Sequence, residues 1–225
     1  YSISFDGVND YISCGDNHTF GPSTAFSISF WCKPNNLAAN RCLISKCSND
    51  VNVAGWNIQH LATSGKIQIQ MRNTGGAGPV FAFTSAVTAG IWQHVVLTFS
   101  GNANISGNRC YIDSIIGDTP SSSAITGTFS NTAEFTIGAR NTAFPYSGFI
   151  DEVTVFDKAL NQAEVTELYN SGQPSDLTDF SSYNNLLSWW RMGDSDIYPI
   201  ILDNKGSANG TMTNQTSGDI VGDVP

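Results

Sequence analysis

Asp151 is the residue whose surroundings ask for chemistry. It lies in Gly148-Phe149-Ile150-Asp151-Glu152-Val153-Thr154-Val155-Phe156, which alternates with period two and reads as a strand. Alternation puts Phe149, Asp151, Val153 and Val155 on one face and Ile150, Glu152, Thr154 and Phe156 on the other. A carboxylate in line with Phe and two Val cannot stay charged alone. It binds a cation, takes a proton, or accepts backbone N–H groups. With 10 Lys+Arg against 19 Asp+Glu the chain is poor in bases. A hard ion such as Ca2+, held by oxygen ligands, is one answer.

Other residues able to bind or react are more scattered. Trp56, Asn141, Phe144 and Tyr146, with the Asn49 to Asn52 run, lie in or beside loops. Aromatic faces beside amides suit a sugar ring, with its apolar C–H faces and hydroxyl edges. Taken singly, each ring serves equally as a plug at the rim of a β-sandwich, and that reading is favoured residue by residue. Glycoside cleavage needs two carboxylates flanking one bond. Asp151 and Glu152 are adjacent and point to opposite faces, and Asp194 and Asp196 share a face but read as solvated loop residues. His94 has no second His at metal-ligand spacing and no nucleophile motif beside it. No Ser-His-Asp or Cys-His constellation stands out, and no Gly-rich phosphate loop precedes a helix. An enzyme is not expected.

The five cysteines, Cys14, Cys32, Cys42, Cys47 and Cys110, leave at least one thiol unpaired and match no zinc spacing. Cys42 and Cys47 are spaced to close a small loop in an oxidising compartment. As small buried hydrophobes the five serve equally well.

Short strands must position these residues. Ile3 and Phe5 alternate with Ser2 and Ser4 before Asp6-Gly7, a turn or bulge signal, and strand character resumes at Tyr11. Asp6 and Asp10 by themselves read as part of a solvated turn. From Ala25 to Lys33, Phe26, Ile28, Phe30 and Cys32 alternate with Ser27, Ser29, Trp31 and Lys33. Further strands are expected over 43–45, 56–60, 66–72, 80–83, 92–99 and 134–139, with a hairpin over 109–116. One short helix follows the Asp151 strand. Asn161 is its N-cap and Glu164 its N3 residue, a capping box, with Leu160 and Val165 as a hydrophobic staple and Gly172 as the stop. Beyond a polar connector over 174–182, strands are expected at 186–193, 200–204 and 209–212. This tail either pairs back beside the first strand or opens a second copy outside the chain. Pairing back is preferred, because isolated strand pairs are marginal in water and addition to a sheet buries Trp189, Trp190 and Leu202.

Together these stretches resemble laminin-G-like, concanavalin A-like jelly-roll domains. Gly148-Phe149-Ile150-Asp151-Glu152-Val153, with the helix after Ala159-Leu160, is similar to that family's last core strand and its short helix. Phe5-Asp6-Gly7, with Asp10-Tyr11, resembles its first core strand; Phe26 to Trp31, Trp92 to Val95 and Tyr111 to Asp113 resemble three others, with Ser114 where a Gly is usual. The likeness runs from Ser2 to about Val221. The strand with Trp, then Asp-x-x-Gly and Asn-Gly-Thr, which usually opens such a domain, stands here at the end.

The resemblance implies an all-β fold: an antiparallel β-sandwich of concanavalin A-like jelly-roll type with one short helix. It implies one domain over 1–225, with 183–221 a C-terminal extension packing back on the sandwich. It gives Trp92 and His94 packing roles. It also implies a structural Ca2+ held by Asp151 and main-chain carbonyls near the first strand, with Asp6 as the second side chain. The superfamily's hydrolases carry Glu-x-Asp-x-x-Glu, or that run with one residue more, on one strand, and no such run occurs here. Similar tails occur in bacteriophage structural and tail-fibre proteins.

Size and charge narrow the partners. A chain of 225 residues suits one large β domain, and net charge −9 disfavours nucleic acid. No apolar run is long enough to span a bilayer. The chain opens at Tyr1 without Met, as a processed form or a fragment does. Asn17, Asn104, Asn209 and Asn214 head glycosylation-type triplets, which in so Asn-rich a chain arise by chance. The expected function is a non-catalytic carbohydrate-recognition or adhesion module on an extracellular or virion surface, binding a cell-surface glycan through Trp56, Asn141, Phe144 and Tyr146. The alternative is a self-assembling fibre or capsid-surface module, a homo-oligomer whose partners are its own copies.

Overall fold

The computed structural model describes every residue except 51–52, 75–77, 79, 103–106 and 118–126, and only the backbone at 80–81. Asn52, the Asn104 triplet and part of the 73–79 loop therefore lie outside the described residues. In chain order the strands are β1 (Ser2–Asp6), β2 (Tyr11–Ser13), β3 (Ala25–Pro34), β4 (Arg41–Lys46), β5 (Gly55–His60), β6 (Lys66–Arg72), β7 (Val80–Ala86) and β8 (Gln93–Ser100). There follow β9 (Arg109–Ile112), β10 (Ile115–Ile116), β11 (Phe135–Ile137), β12 (Ser147–Phe156), helix α1 (Gln162–Tyr169), β13 (Leu186–Trp190), β14 (Ile200–Ile201), β15 (Gly210–Thr213) and β16 (Ile220–Val221). The first sheet runs β10-β9-β8-β3-β12-β1-β16 with β13 also on β12; the second runs β14-β15-β2-β11-β4-β5-β6-β7. All pairings are antiparallel. The chain is an all-β sandwich.

Period-two alternation explains the main core. Phe26, Ile28, Phe30 and Cys32 of β3 meet Ile44, Trp56, Ile58, Ile67, Ile69 and Met71 of the second sheet in one continuous cluster. The other face of the first sheet is also covered. There α1 and the segments on either side of it pack Leu160, Val165, Leu168, Leu177 and Phe180 on Val96, Tyr111, Phe156 and Trp189. Trp31 packs between His94 and Tyr169 on that side, with ring centroids 5.0 and 5.9 Å away.

The helix is capped as its sequence dictates. The Asn161 side chain accepts from the backbone N–H of Ala163 and Glu164, and Glu164 Oε2 accepts from the Asn161 N–H. It ends at Asn170, in a left-handed conformation with φ 44°, and a 3-10 turn carries the chain on to Gly172, within the expected helix of residues 161–170 and its Gly stop. Asn takes that conformation at modest cost, so the stop comes at the first residue able to supply it. Asn161→Ala is expected to cost about 1 kcal/mol, measured as a lower urea midpoint with an unchanged slope.

One bulge corrects the facing of β12. Against β3, Asp151 pairs Trp31 and Thr154 pairs Ser29, so β12 carries one extra residue there, with Glu152 at φ 47°. The extra residue flips the alternation. Ile150, Val153 and Val155 all face the main core, while Asp151 lies with Phe149 and Thr154 on the opposite side. Asp151 is thus buried but not in line with Val153 and Val155. The bulge stands where β12 changes neighbour: Gly148 to Ile150 pair with β1, and Val153 to Phe156 with β13.

The C-terminal segment enters both sheets, β13 on β12, β15 on β2 and β16 on β1. Trp189 and Trp190 are buried by it, but Leu202 is 40% exposed. No helix of the described residues is long and apolar enough to cross a membrane.

Candidate functional site

The expected cation pair does not form. In the β1–β12 register Asp6 stands opposite Ser147 and Ile3 opposite Ile150. Asp151 is therefore level with Ser2, and Asp6 lies four residues, about 13 Å, further along the sheet. Asp6 Oδ1 is also engaged locally, accepting from the N–H of Val8 and Asn9. Around Asp151 the neighbours include Glu152, Asp194, Arg191 and Tyr1; the Tyr1 ammonium meets Asp194, and Arg191 already bridges Glu152 and Asp194. Among the described residues no three His, Cys, Asp or Glu side chains are grouped to hold a metal. The residues present do not fit the Ca2+ shell expected of Asp6 and Asp151.

Two expected sugar platforms also move inside. Trp56 is 1% exposed and packs on Phe26 and Phe135; Tyr146 is fully buried against Phe5 and His60. Both lie at positions whose strand or loop turns them to the core. All five cysteines are buried free thiols, so Cys42 and Cys47 close no loop. Asp194 and Asp196 are half-buried and committed, Asp194 to Arg191 and Asp196 to the N–H of Gly193 and Leu202. The His94 ring is buried, with Nε2 2.7 Å from Ser29 Oγ, and burial pushes its pKa down to about 3. The Ser29–His94 pair lies beneath Leu168 and Leu177 beside a cavity of about 10 Å3, room for a single water. It is a packing pair.

Phe144 and Asn141 remain outside, and they lead to a polar surface. Inward-facing residues of the second sheet alternate with polar ones that face away from the core. The strand register lines up Thr211, Ser13, Thr136, Ser45, Asn57 and Gln70 across six strands. Beside this row Gln59 pairs Gln68, and Arg72 follows Gln70 on β6. Their side chains form a relay. Arg72 Nη2 donates to Gln70 Oε1 at 2.9 Å, Gln70 Nε2 to Gln68 Oε1 at 3.1 Å, and Gln59 Nε2 to the same oxygen at 2.6 Å.

Residues 139–144 fold over part of this face. The Ala139 carbonyl accepts from Thr136 and Ser45 hydroxyls, Arg140 and Ala143 close a tight backbone bridge, and Asn49 donates to Thr142. Asn141 and Phe144 both take left-handed conformations, φ 55°. This turn buries Arg140 beneath Phe144, its guanidinium carbon 4.5 Å from the ring centroid, and leaves Phe144 41% exposed. Ser45, Thr136, Asn57 and Gln59 are covered, while Gln68, Gln70 and Arg72 stay half-open. The Arg140 and Arg72 charges are close enough to bear on each other and on the Cys47 thiol. Gln68, Gln70, Arg72 and Arg140 were not singled out from the sequence. Their signal was there: Ile67, Ile69 and Met71 alternate with two Gln and an Arg, polar but not Lys or Glu, as for a face meant to be partly dry.

No curated protein matches the chain. Among solved structures, a Bacteroides ovatus protein provisionally described as carbohydrate binding aligns at 17% identity and TM-score 0.67, covering 95% of this chain and 58% of its own. The chain thus spans 58% of that protein's length. A native heptameric SAP-like pentraxin from Limulus polyphemus aligns at 16% identity and TM-score 0.56, covering 93% and 94%. The CBM40 of the Ruminococcus gnavus IT-sialidase, bound to α2,3-sialyllactose, aligns at 18% identity and TM-score 0.51, covering 64% and 82%. At such identities the likeness is one of fold. Residues 6–166, which include β1's end, the bulged β12 and the capped start of α1, match the family described as the concanavalin A-like lectin/glucanases superfamily; the match spans well over half of the chain, and the chain belongs to that family.

Proposed function

We propose that residues 1–225 act as one unit, with 183–221 integral to it, and serve as a non-catalytic carbohydrate-recognition module on an extracellular or virion surface. The sugar lies on the open part of the second sheet's outer face. The observation that carries this is the relay from Arg72 through Gln70 and Gln68 beside an exposed Phe144. A saccharide needs donors and acceptors for its hydroxyls and an apolar plane for its C–H face, and a row of amides beside one ring offers both. The relay holds those amides in fixed rotamers, which lowers the ordering cost of binding. The carbohydrate binding described for two of the fold relatives agrees with this reading. The absence of catalysis is inferred from the carboxylates around the bulge and the following turn, Asp151, Glu152, Asp194 and Asp196, whose contacts are structural.

A glycan array on the purified chain tests the reading, followed by calorimetry on the best ligand. Phe144→Ala and Gln70→Ala are each expected to weaken binding about tenfold, the equivalent of roughly 1.4 kcal/mol, with melting unchanged. Prolonged incubation is expected to release no reducing ends. Absence of any glycan ligand, or cleavage abolished by changing one carboxylate, overturns the proposal.

Self-assembly has one observation in its favour. Ile197, Tyr198, Ile200 and Leu202 are all exposed around β14, an edge strand of the second sheet. Light scattering over a concentration series separates this reading, which requires an oligomer that Ile197→Glu dissolves.

A further inference from the structure

Arg72 and Arg140 differ from other bases of the chain. Lys33, Lys46, Lys158 and Arg191 each meet a carboxylate, and Arg41 donates to the Gly7 and Pro145 carbonyls. Arg72 has only the Gln70 amide oxygen; its Nη1 is shut from solvent and finds no acceptor among the described residues. Arg140 is 7% exposed, and its Nε is likewise buried without an acceptor. No carboxylate among the described residues pairs with either. Two neighbouring cations with unmet donors on a partly dry face repel each other and are poorly solvated. Burial first, and Arg72's charge with it, push the Arg140 guanidinium below its usual pKa, though the Cys47 thiol opposes this. Arg41 Nε is also buried without an acceptor, but that side chain bonds two carbonyls, whereas Arg72 and Arg140 add mutual repulsion to their unmet donors.

We propose that the saccharide this face takes is acidic, carrying a carboxylate or sulfate that seats against the Arg72 and Arg140 guanidinium groups while a ring stacks on Phe144. The inference rests on the reading of this face as the glycan site. A planar guanidinium offers paired N–H donors matched to two oxygens of such an anion, and charge-assisted bonds of this kind are about twice as strong as neutral ones. Arg140 under the Phe144 ring, with Arg72 within electrostatic reach of it, thus defines both the charge and the position of the anionic substituent. Gln68 and Gln70 then meet the hydroxyls of the same or the next sugar.

The test uses the intact chain on an array holding neutral, uronate-containing, sialylated and sulfated glycans at about 0.15 M salt. Acidic glycans of one or more classes are expected to dominate. Calorimetry with the best of them should give at least tenfold tighter binding than its neutral counterpart. Arg72→Gln, at a half-open position, is expected to abolish that margin, so that the acidic glycan binds no more tightly than its neutral counterpart, with the melting temperature unchanged. Free glucuronate and inorganic sulfate, used as competitors of the unaltered chain, give a second readout and tell carboxylate from sulfate. Because the chain is acidic overall, general attraction for polyanions does not mimic this result. Hits among neutral glycans only, or acidic binding unaffected by Arg72→Gln, overturn the inference and leave the glycan reading standing. No hits of any class overturn both.

Discussion

Asp203→Ala is expected to be among the most destabilising single substitutions in this chain, lowering stability by roughly 3–5 kcal/mol. Asp203 is 9% exposed, and its carboxylate collects the end of β13 and the following turn. Oδ1 accepts from the N–H of Trp189, Lys205 and Gly206 at 2.9, 3.1 and 2.9 Å; Oδ2 accepts from the Ala208 N–H at 3.0 Å and the Ser188 hydroxyl at 2.7 Å. Truncation leaves four backbone donors with no protein acceptor. Each costs about 1–3 kcal/mol if it stays dry, and water entering the vacated space recovers part of the sum. For a chain of this length the loss corresponds to a melting temperature lower by about 10 °C. Burial would push this carboxyl up, but the Gly206 N–H, the Ser188 hydroxyl and the Trp189 and Lys205 N–H groups together hold it below its usual value. A depressed carboxyl contributes stability above its unfolded pKa and loses it as pH falls through the folded value. The gap between the unaltered chain and Asp203→Ala should therefore be full at pH 7 and narrow below about pH 4. Urea titrations at the two pH values measure it. A difference under 1 kcal/mol at pH 7 would show that the turn holds itself without the carboxylate.

The prominence of Asp203 marks one limit of what the sequence discloses. Asp203 and Asn204 read as the end of a strand over 200–204, which in fact stops at Ile201, and nothing in these residues says that five donors converge on one side chain. The regular parts were legible. Alternation placed β3, β6 and β8 and turned Phe26, Ile28, Ile67, Ile69, Val95 and Leu97 inward, because a period of two has only two outcomes per strand. The capping box at Asn161 was legible for a like reason: its donors and acceptors are neighbours in sequence. The bulge at Asp151–Glu152 was not. It inserts one residue, has no glycine to mark it, and is held by the change of neighbour from β1 to β13, which lies in segments far apart in sequence. Trp56 and Tyr146 failed as surface rings because their burial depends on which side of the sandwich each adjoining loop closes. The polar face was half legible. Outward Gln68, Gln70 and Arg72 follow from alternation, but whether a helix covers that face is a property of the whole fold. Here α1 covers the first sheet, while residues 139–144 cover part of the second and leave Gln68, Gln70 and Arg72 half-open.

Asp151→Asn is the second large effect, and its sign is the informative part. Asp151 is 3% exposed and accepts a single backbone bond, from the Glu152 N–H at 2.8 Å. It sits where β12 passes from β1 to β13, and no other hydrogen bond reaches its side chain among the described residues. Burial, then the Glu152 charge, push its pKa up to about 9. A carboxyl raised in this way stabilises fully below its unfolded pKa, near 3.8, and loses that contribution as pH rises toward the folded value. Between those limits the folded state holds a proton that the unfolded chain releases, and stability falls by up to about 1.4 kcal/mol per pH unit. Asn keeps the size and the acceptor and removes the titration. At pH 7 Asp151→Asn should be more stable than the unaltered chain by roughly 2–4 kcal/mol, with the difference closing near pH 4. Two buried histidines and the half-buried His18 impose an opposite slope on both proteins. Burial lowers His18 and His60 to about 4 and His94 to about 3, so each loses stability as pH falls below about 6.5. Comparing the two proteins at each pH cancels that contribution. A bound Ca2+ reverses the expected sign: it stabilises the ionised Asp151 by mass action, about 2.7 kcal/mol at a hundred times its dissociation constant, and Asn forfeits it. Melting both proteins in chelator and in excess Ca2+ at pH 7 therefore decides between a neutral carboxyl and a metal ligand. Higher melting for Asn in both media establishes the proton; lower melting for Asn, appearing only with Ca2+, establishes the ion.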